Sequence, residues 1–386
     1  MSKRLPPWTC TAAALGTLCA ITPTAPPAQA APEPETRPVA ELLTDLQRLY
    51  RTTEEATETY NATEEKLKEQ RARSKDLAEK LAKARASARD SRGDAGRLAR
   101  QQYQNATALS PYVRLLLARD PQRALDQGHV IQRVAAGRAA TVERLAEGEQ
   151  RADALARAAK KALATQTALA ARQKRQRDKV GDRLKEVQEM LSALTPDQLD
   201  ALREAEDAGT AKAQRAFMAS GALSGSRATR APSHQGDKAL EFAVRQIGLP
   251  YEWGAEGPDA YDCSGLTSRA WAHAGREIPR TSQEQWAELR RVPLSKLRPG
   301  DLVVYFPRAT HVALYLGDGK VIQAPRPGGR VKVSPIAANP VLGAIRPDPG
   351  GRPMRGYVPP KLPEGATSGS DLGYSGDQAP DATDSR

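Results

Sequence analysis

The sequence predicts an α+β protein in which a long helical region precedes a smaller mixed domain. Three observations lead there. Apolar residues recur at steps of three or four over most of the stretch from Val39 to Leu194. Large aromatics then gather between Phe242 and Tyr315, and the alternating run His311-Val312-Ala313-Leu314-Tyr315-Leu316, followed by Gly317-Asp318-Gly319, reads as one arm and the turn of a β-hairpin. Composition agrees with an uneven chain: 386 residues is the length of two or three domains, yet 4% aromatic content leaves much of it without an ordinary globular core.

The first element is an export signal. Lys3 and Arg4 precede a short apolar run from Cys10 to Thr22, and Ala28-Gln29-Ala30 supplies a cleavage site, so residues 1–30 are expected to be removed. A buried N-terminal helix is the alternative, which Pro23, Pro26 and Pro27 would break. Cys19 as a lipid-anchored N-terminus is disfavoured by Leu18, which stands where a small residue is wanted. No apolar run reaches the roughly 18–20 residues of a spanning helix, which excludes a multi-pass membrane protein and leaves the mature chain without a transmembrane segment. Of three cysteines the mature chain keeps Cys263. A lone thiol in an exported protein is a partner for an intermolecular disulfide, a reactive group, or an inert buried side chain.

Residues 39–208 read as an α-helical antiparallel coiled coil. Leu42, Leu46, Leu49, Thr53, Ala56, Tyr60, Thr63 and Leu67 form a stripe, while Glu54, Glu55, Glu58, Glu64, Glu65, Lys66, Lys68 and Glu69 read as its solvated face. Ser91 to Gly96 should interrupt the first helix, and Tyr112, Val113, Leu115, Leu116 and Leu117 suggest a tip. A second helix from about Pro121 to Leu194 would fold back on the first, and Thr195-Pro196 caps a short third helix ending near Ala208. The net charge of +12 suits an anionic partner. Nucleic acid is not that partner: aromatics are not interleaved with the basic residues, and four histidines form no zinc-ligand cluster. Residues 209–236 read as a flexible linker, 237–347 as a folded domain, and 348–386 as a disordered tail.

Within that domain Asp262-Cys263-Ser264-Gly265 opens a helix whose apolar face is Leu266, Ala270, Trp271 and Ala274. Backbone N–H groups and the positive end of the helix dipole would stabilise a thiolate at Cys263, although Asp262 or Ser264 can equally be a plain helix cap. His311 is the candidate base. A three-residue turn at Gly317 to Gly319 would set Gln323 opposite Ala313, one diagonal step from His311 on the same face, where it can hold one ring nitrogen and leave the other for Cys263. A surface strand histidine with a cross-strand polar neighbour is the bland alternative. His273 is turned away from the thiol by the helix, and His129 and His234 lie outside the domain's apolar pattern.

These residues carry a resemblance. Pro250-Tyr251-Glu252-Trp253-Gly254, Tyr261-Asp262-Cys263-Ser264-Gly265-Leu266, Ile278-Pro279-Arg280-Thr281-Ser282, Pro299-Gly300-Asp301-Leu302-Val303, His311 to Gly317 and Val321-Ile322-Gln323-Ala324-Pro325 resemble, in order, the motifs of NlpC-type cell-wall cysteine peptidases. The resemblance implies a reduced papain-like fold, with the cysteine-bearing helix packed on an antiparallel sheet. It implies that Cys263 is the nucleophile, His311 the base and Gln323 the third polar residue, and that Tyr251, Asp262 and Ser264 line the pocket for the acyl side of the substrate. Gln323 departs from the commoner histidine there, and Ala255 from a second glycine after Gly254. The expected activity is a secreted, wall-associated endopeptidase that cleaves the D-γ-glutamyl–diaminopimelate amide of peptidoglycan stem peptides and needs no metal or cofactor. The long helices also resemble those of exported actinobacterial wall hydrolases, which implies a cover for the cleft or a docking arm for another hydrolase or a division protein, with a passive spacer as the alternative. The alternative is a non-catalytic scaffold or regulator that binds wall peptides.

Overall fold

The computed structural model describes residues 38–104, 113, 121–224, 231–369 and 371. From Val39 onward they belong to one unit of the chain, and the segment read as an export signal lies outside the described residues. Helix α1 runs over Val39–Gln104 and α2 over Pro121–Ser192. The two are antiparallel, as the pairs Tyr60 with Gln173, Gln70 with the Ala162 carbonyl and Arg92 with Glu149 require. The expected interruption at Ser91 to Gly96 is absent. A helical glycine costs only ~1 kcal/mol, and α2 supports this stretch through the 2.7 Å Arg92–Glu149 ion pair. Of the expected tip only Val113 is described, and it is exposed.

Helix α3, Pro196–Ala219, begins at a capping box in which Thr195 and Gln198 satisfy each other's backbone N–H groups. It runs well past Ala208, into the stretch read as linker. The reason is a dock: the Gln214 amide donates to the Gly319 carbonyl at 3.0 Å and accepts from the Ala337 N–H at 3.1 Å, while Phe217 packs into the mixed domain. Residues 225–230 of the expected linker lie outside the described residues.

The mixed domain comprises α4 (His234–Arg245), α5 (Cys263–His273), α6 (Ser282–Glu288) and six strands: β1 (Arg290–Val292), β2 (Leu302–Tyr305), β3 (His311–Gly317), β4 (Lys320–Gln323), β5 (Lys332–Pro335) and β6 (Val341–Arg346). The sheet is antiparallel throughout, in the order β1-β6-β2-β3-β4-β5. This is the expected fold class, with the cysteine-bearing helix against an antiparallel sheet. Leu302, Val304, Val312, Leu314 and Ile322 face α4 and α5 with the fully buried Trp271, and Val303, Ala313, Tyr315 and Val321 form a second core with Phe217. Both faces of β2 and β3 are therefore covered, and β3, read as an alternating run, is buried at every position from His311 to Leu316.

The hairpin turn differs in detail from the sequence reading. Gly317 pairs with Lys320, so Asp318 and Gly319, both at positive φ, form a two-residue turn, and the register shifts between Tyr315 and Gly317. A shorter turn plus one bulged residue restores the register a three-residue turn would set: Leu314 faces Ile322. Gln323 consequently lies where the sequence put it.

The segment after β6, read as a disordered tail from residue 348, is held to the domain as far as Gly369 and again at Asp371. Arg298 donates to the Asp348 carboxylate and to the Gly351 carbonyl, both at 2.7 Å, and the Val333 N–H donates to the Ala366 carbonyl at 2.8 Å. A Pro- and Gly-rich composition precludes regular structure here but not attachment.

Candidate active site

Helix α5 starts at Cys263 because Asp262 caps it: the Asp262 carboxylate accepts from the Gly265 N–H at 2.6 Å. Asp262 is in turn clamped by Arg280, whose two terminal nitrogens reach its two oxygens at 3.1 and 2.7 Å, and by the Gly254 N–H at 2.9 Å. Arg280 also donates to the Ser264 hydroxyl at 2.8 Å and pairs with Glu256 at 2.8 Å. The helix start is thus fixed in position by a buried, bidentate ion pair. Gly265 allows the loop before α5 to close on it, since a β-carbon there would stand 2.2 Å from the Ala255 carbonyl oxygen.

His311 opens β3, paired with Tyr305 of β2, and is 1% exposed. Its Nε2 lies 2.7 Å from Gln323 Oε1 across the β3–β4 hairpin. Nδ1 is left without a hydrogen-bond partner. Cys263 is 3% exposed, and the Val312 backbone N–H lies against its sulfur. Tyr251, also buried, completes the group: burial, then the nearby Cys263 and Asp262, raise its hydroxyl pKa. The structure therefore gathers Cys263, His311, Gln323, Tyr251, Asp262 and Ser264 into one buried cluster. His273 is exposed, its ring 5.1 Å from that of Phe242 and tilted 36° to it, and 3.3 Å from Arg245, as its place on α5 predicts.

The resemblance allowed the long helices to cover the cleft, but the residues that do so do not follow from the sequence pattern. Glu54 and Glu58, read as solvated, are 5% and 1% exposed. Glu58 accepts from the Ser264 hydroxyl and from the Ser282 N–H, each at 2.9 Å, and its Oε1 lies 3.8 Å from Cys263 Sγ. Glu54 Oε1 lies 3.4 Å from His311 Nδ1. One turn beyond Glu58, Asn61 donates to Asp262 at 3.0 Å, and Tyr60 packs edge-on against Trp253 at 4.8 Å. Helix α1 therefore lies in the cleft with two carboxylates against the thiol and the imidazole. The available signal was composition: between Tyr50 and Leu67 the buried residues are Thr53, Glu54, Ala56, Thr57, Glu58, Asn61 and Thr63, small or polar where a helix packed on another helix would be large and apolar. Arg280 lies in the Ile278 to Ser282 motif, but its hold on Asp262, 18 residues away, leaves no local pattern in the sequence.

Electrostatics in this closed state run against thiolate formation. The Cys263 thiol is pushed well up, first by burial, then by Glu58, Asp262 and Glu54, with the Val312 N–H acting the other way. The sequence-based expectation of a lowered thiol pKa fails here because burial, and after it three nearby carboxylates, outweigh a helix terminus. Glu58 is pushed up to about 7 by burial and then by Asp262, against Arg280 and its hydrogen bonds to Ser282 and Ser264. Among the described residues no group of His, Cys, Asp and Glu is arranged to hold a metal ion, and no helix is long and apolar enough to cross a membrane.

Residues 248–343 match the NlpC/P60 family. The chain is 50% identical over 98 residues to a probable endopeptidase of Corynebacterium glutamicum, a match covering 25% of this chain and 47% of that protein. It is 39% identical over 123 residues to the peptidoglycan endopeptidase RipA of Mycolicibacterium smegmatis, covering 27% of this chain and 25% of the relative. The chain thus spans about half or less of the length of these curated relatives. A solved structure, the NlpC/p60 domain of the peptidoglycan hydrolase SagA, is 32% identical over 29% of this chain and 97% of its own, with a TM-score of 0.28.

Proposed function

We propose, from the premise that residues 248–343 are an NlpC/P60 domain, that the protein is a secreted, wall-associated cysteine endopeptidase cleaving the D-γ-glutamyl–diaminopimelate amide of peptidoglycan stem peptides. The observation that carries this reading is His311, bonded through Nε2 to Gln323 at 2.7 Å with Nδ1 left over, in the same buried cluster as a thiol at a helix start. The layout of residues 1–30 supports export.

In the mechanism Nδ1 of His311 takes the Cys263 proton and the thiolate attacks the γ-glutamyl carbonyl carbon. Backbone N–H groups at the start of α5 hold the oxyanion. The imidazolium gives its proton to the departing amine as the C–N bond breaks, leaving a thioester. Water, deprotonated by His311, hydrolyses the thioester and restores the thiol. Gln323 keeps the imidazole in the required orientation. Tyr251, Asp262 and Ser264 line the acyl side, with Arg280 fixing the latter two.

Helix α1 holds this enzyme latent: substrate cannot reach Cys263 while Glu54 and Glu58 occupy the cleft, so turnover requires α1 to move. A second reading, a non-catalytic scaffold that binds wall peptides and recruits another hydrolase or a division protein, draws on the same closure. The two part in one experiment. A defined stem peptide is incubated with the mature chain carrying Glu54→Ala and Glu58→Ala and the products are weighed by mass spectrometry. The endopeptidase reading expects scission at the glutamyl–diaminopimelate bond and its loss in Cys263→Ala. Binding without scission would favour the scaffold.

A further inference from the structure

An amide side chain can face a histidine with either end. If the Gln323 NH2 group faced His311, Nε2 would have to accept, the ring proton would sit on Nδ1, and that nitrogen could not take a proton from Cys263. Something has to fix the amide. On its far side stands Asp371, beyond the matched residues 248–343: Gln323 Nε2 donates to Asp371 Oδ1 at 3.2 Å. An ionised carboxylate accepts and never donates, so it holds the NH2 end toward itself and leaves the oxygen for His311.

The position of Asp371 is built rather than incidental. Gln323 pairs with Lys332 across β4 and β5, and Ser334 follows two residues on, so all three side chains share one face of the sheet. The Ser334 hydroxyl donates to the same carboxylate oxygen, and Lys332 Nζ lies 3.3 Å from it. Gln323, Ser334 and Lys332 are all buried. Lys332 also donates to the Gly369 carbonyl, and the Val333–Ala366 backbone bond brings the segment across β5. The ammonium of Lys332 offsets the charge that the site would otherwise acquire.

We propose that Asp371 is a positioning residue for His311: acting through Gln323, it selects the tautomer in which Nε2 carries the proton and Nδ1 is free to act as the base. The inference rests on the Cys263–His311 reading and extends the site into the segment after β6. It supplies, one side chain further out, the fixed acceptor that a neutral amide lacks.

The test reads the tautomer without turnover. The full mature chain is labelled with ¹⁵N-histidine, His311 is assigned by its loss in His311→Gln, and ring nitrogen shifts are recorded at alkaline pH, where the ring is neutral. A Glu54→Ala background removes the carboxylate facing Nδ1. The parent should show Nε2–H. Asp371→Ala and Asp371→Asn should each move His311 toward the other tautomer, and Asp371→Glu should restore it. On the stem peptide the first two should lower kcat about ten-fold with KM little changed. A His311 tautomer unmoved in both variants overturns the proposal, even if hydrolysis is robust. A moved tautomer in a chain that hydrolyses nothing upholds the positioning role and counts against the peptidase reading instead.

Discussion

The thiol of Cys263 stands at the positive end of a helix dipole, a setting that lowers a thiol pKa. Yet burial and the carboxylates of Glu58, Asp262 and Glu54 push it up in the closed state. Its reactivity therefore depends on which residues stand beside it, and two of the three carboxylates belong to α1. Glu58 gives this a pH dependence with a definite sign. Its ordinary value of 4.5 is raised to about 7 in the cleft, so the docked carboxyl holds a proton that the undocked one releases. The contribution of Glu58 to docking is complete below 4.5 and is lost as pH rises through about 7. Amide-exchange protection of residues 53–61 should accordingly fall across that window in the parent and stay nearly flat in Glu58→Gln. Identical profiles for the two would remove Glu58 as the titrating group. At this scale hairpin register, a local property, put Gln323 beside His311, and their side chains meet at 2.7 Å, while the Asp262 cap marked Cys263 as a helix start; joining the thiol to that pair rested on the resemblance. The sequence could not identify Glu58 as a neighbour of Cys263, because the pairing spans 205 residues and nothing local records it.

Among the elements, α5 and the β3–β4 hairpin were legible because each announces itself through capping and turn chemistry: Asp262 at the cap, and Asp318-Gly319 at positive φ. The lengths of α1 and α3 were not. Ser91 to Gly96 read as a break and α3 as ending near Ala208, but Arg92–Glu149 in one case and Gln214 with Gly319 and Ala337 in the other hold the helices intact. Local propensity is a weak prior wherever a partner surface exists. The start of α5 yields the prediction at this scale. A methyl group at Gly265 would meet the Ala255 carbonyl oxygen and the Asp262 carboxylate, so Gly265→Ala must push the loop off the helix. We expect a loss of about 2 kcal/mol on urea unfolding, in line with overpacking of a tight site. A midpoint within experimental error of the parent would show that the loop gives way freely.

For the molecule as a whole, one helix serves two partners. Leu46 and Tyr50 of α1 pack with Val187 of α2 in an apolar cluster, and the next turns place Glu54, Glu58 and Asn61 against the mixed domain. Arg308 of that domain pairs with Glu55 beside the cleft. The division of the chain into a helical region and an α+β domain was readable from periodicity and aromatic content, whereas the docking of one in the other was implied only as one role by the resemblance, since amphipathic pattern specifies a buried face but not its partner. The central claim is a latent cysteine peptidase shut by α1, and Glu58→Arg tests it most directly. That change sets a guanidinium against Arg280 and removes the acceptor of the Ser264 and Ser282 hydrogen bonds. The measurement is the rate of stem-peptide cleavage by the mature chain, by Glu58→Arg, and by Glu58→Arg with Cys263→Ser. The account predicts slow cleavage by the first, an increase of about ten-fold or more in the second, as loss of a few buried contacts implies, and none in the third. Equal rates for the first two, or cleavage that survives Cys263→Ser, would contradict it.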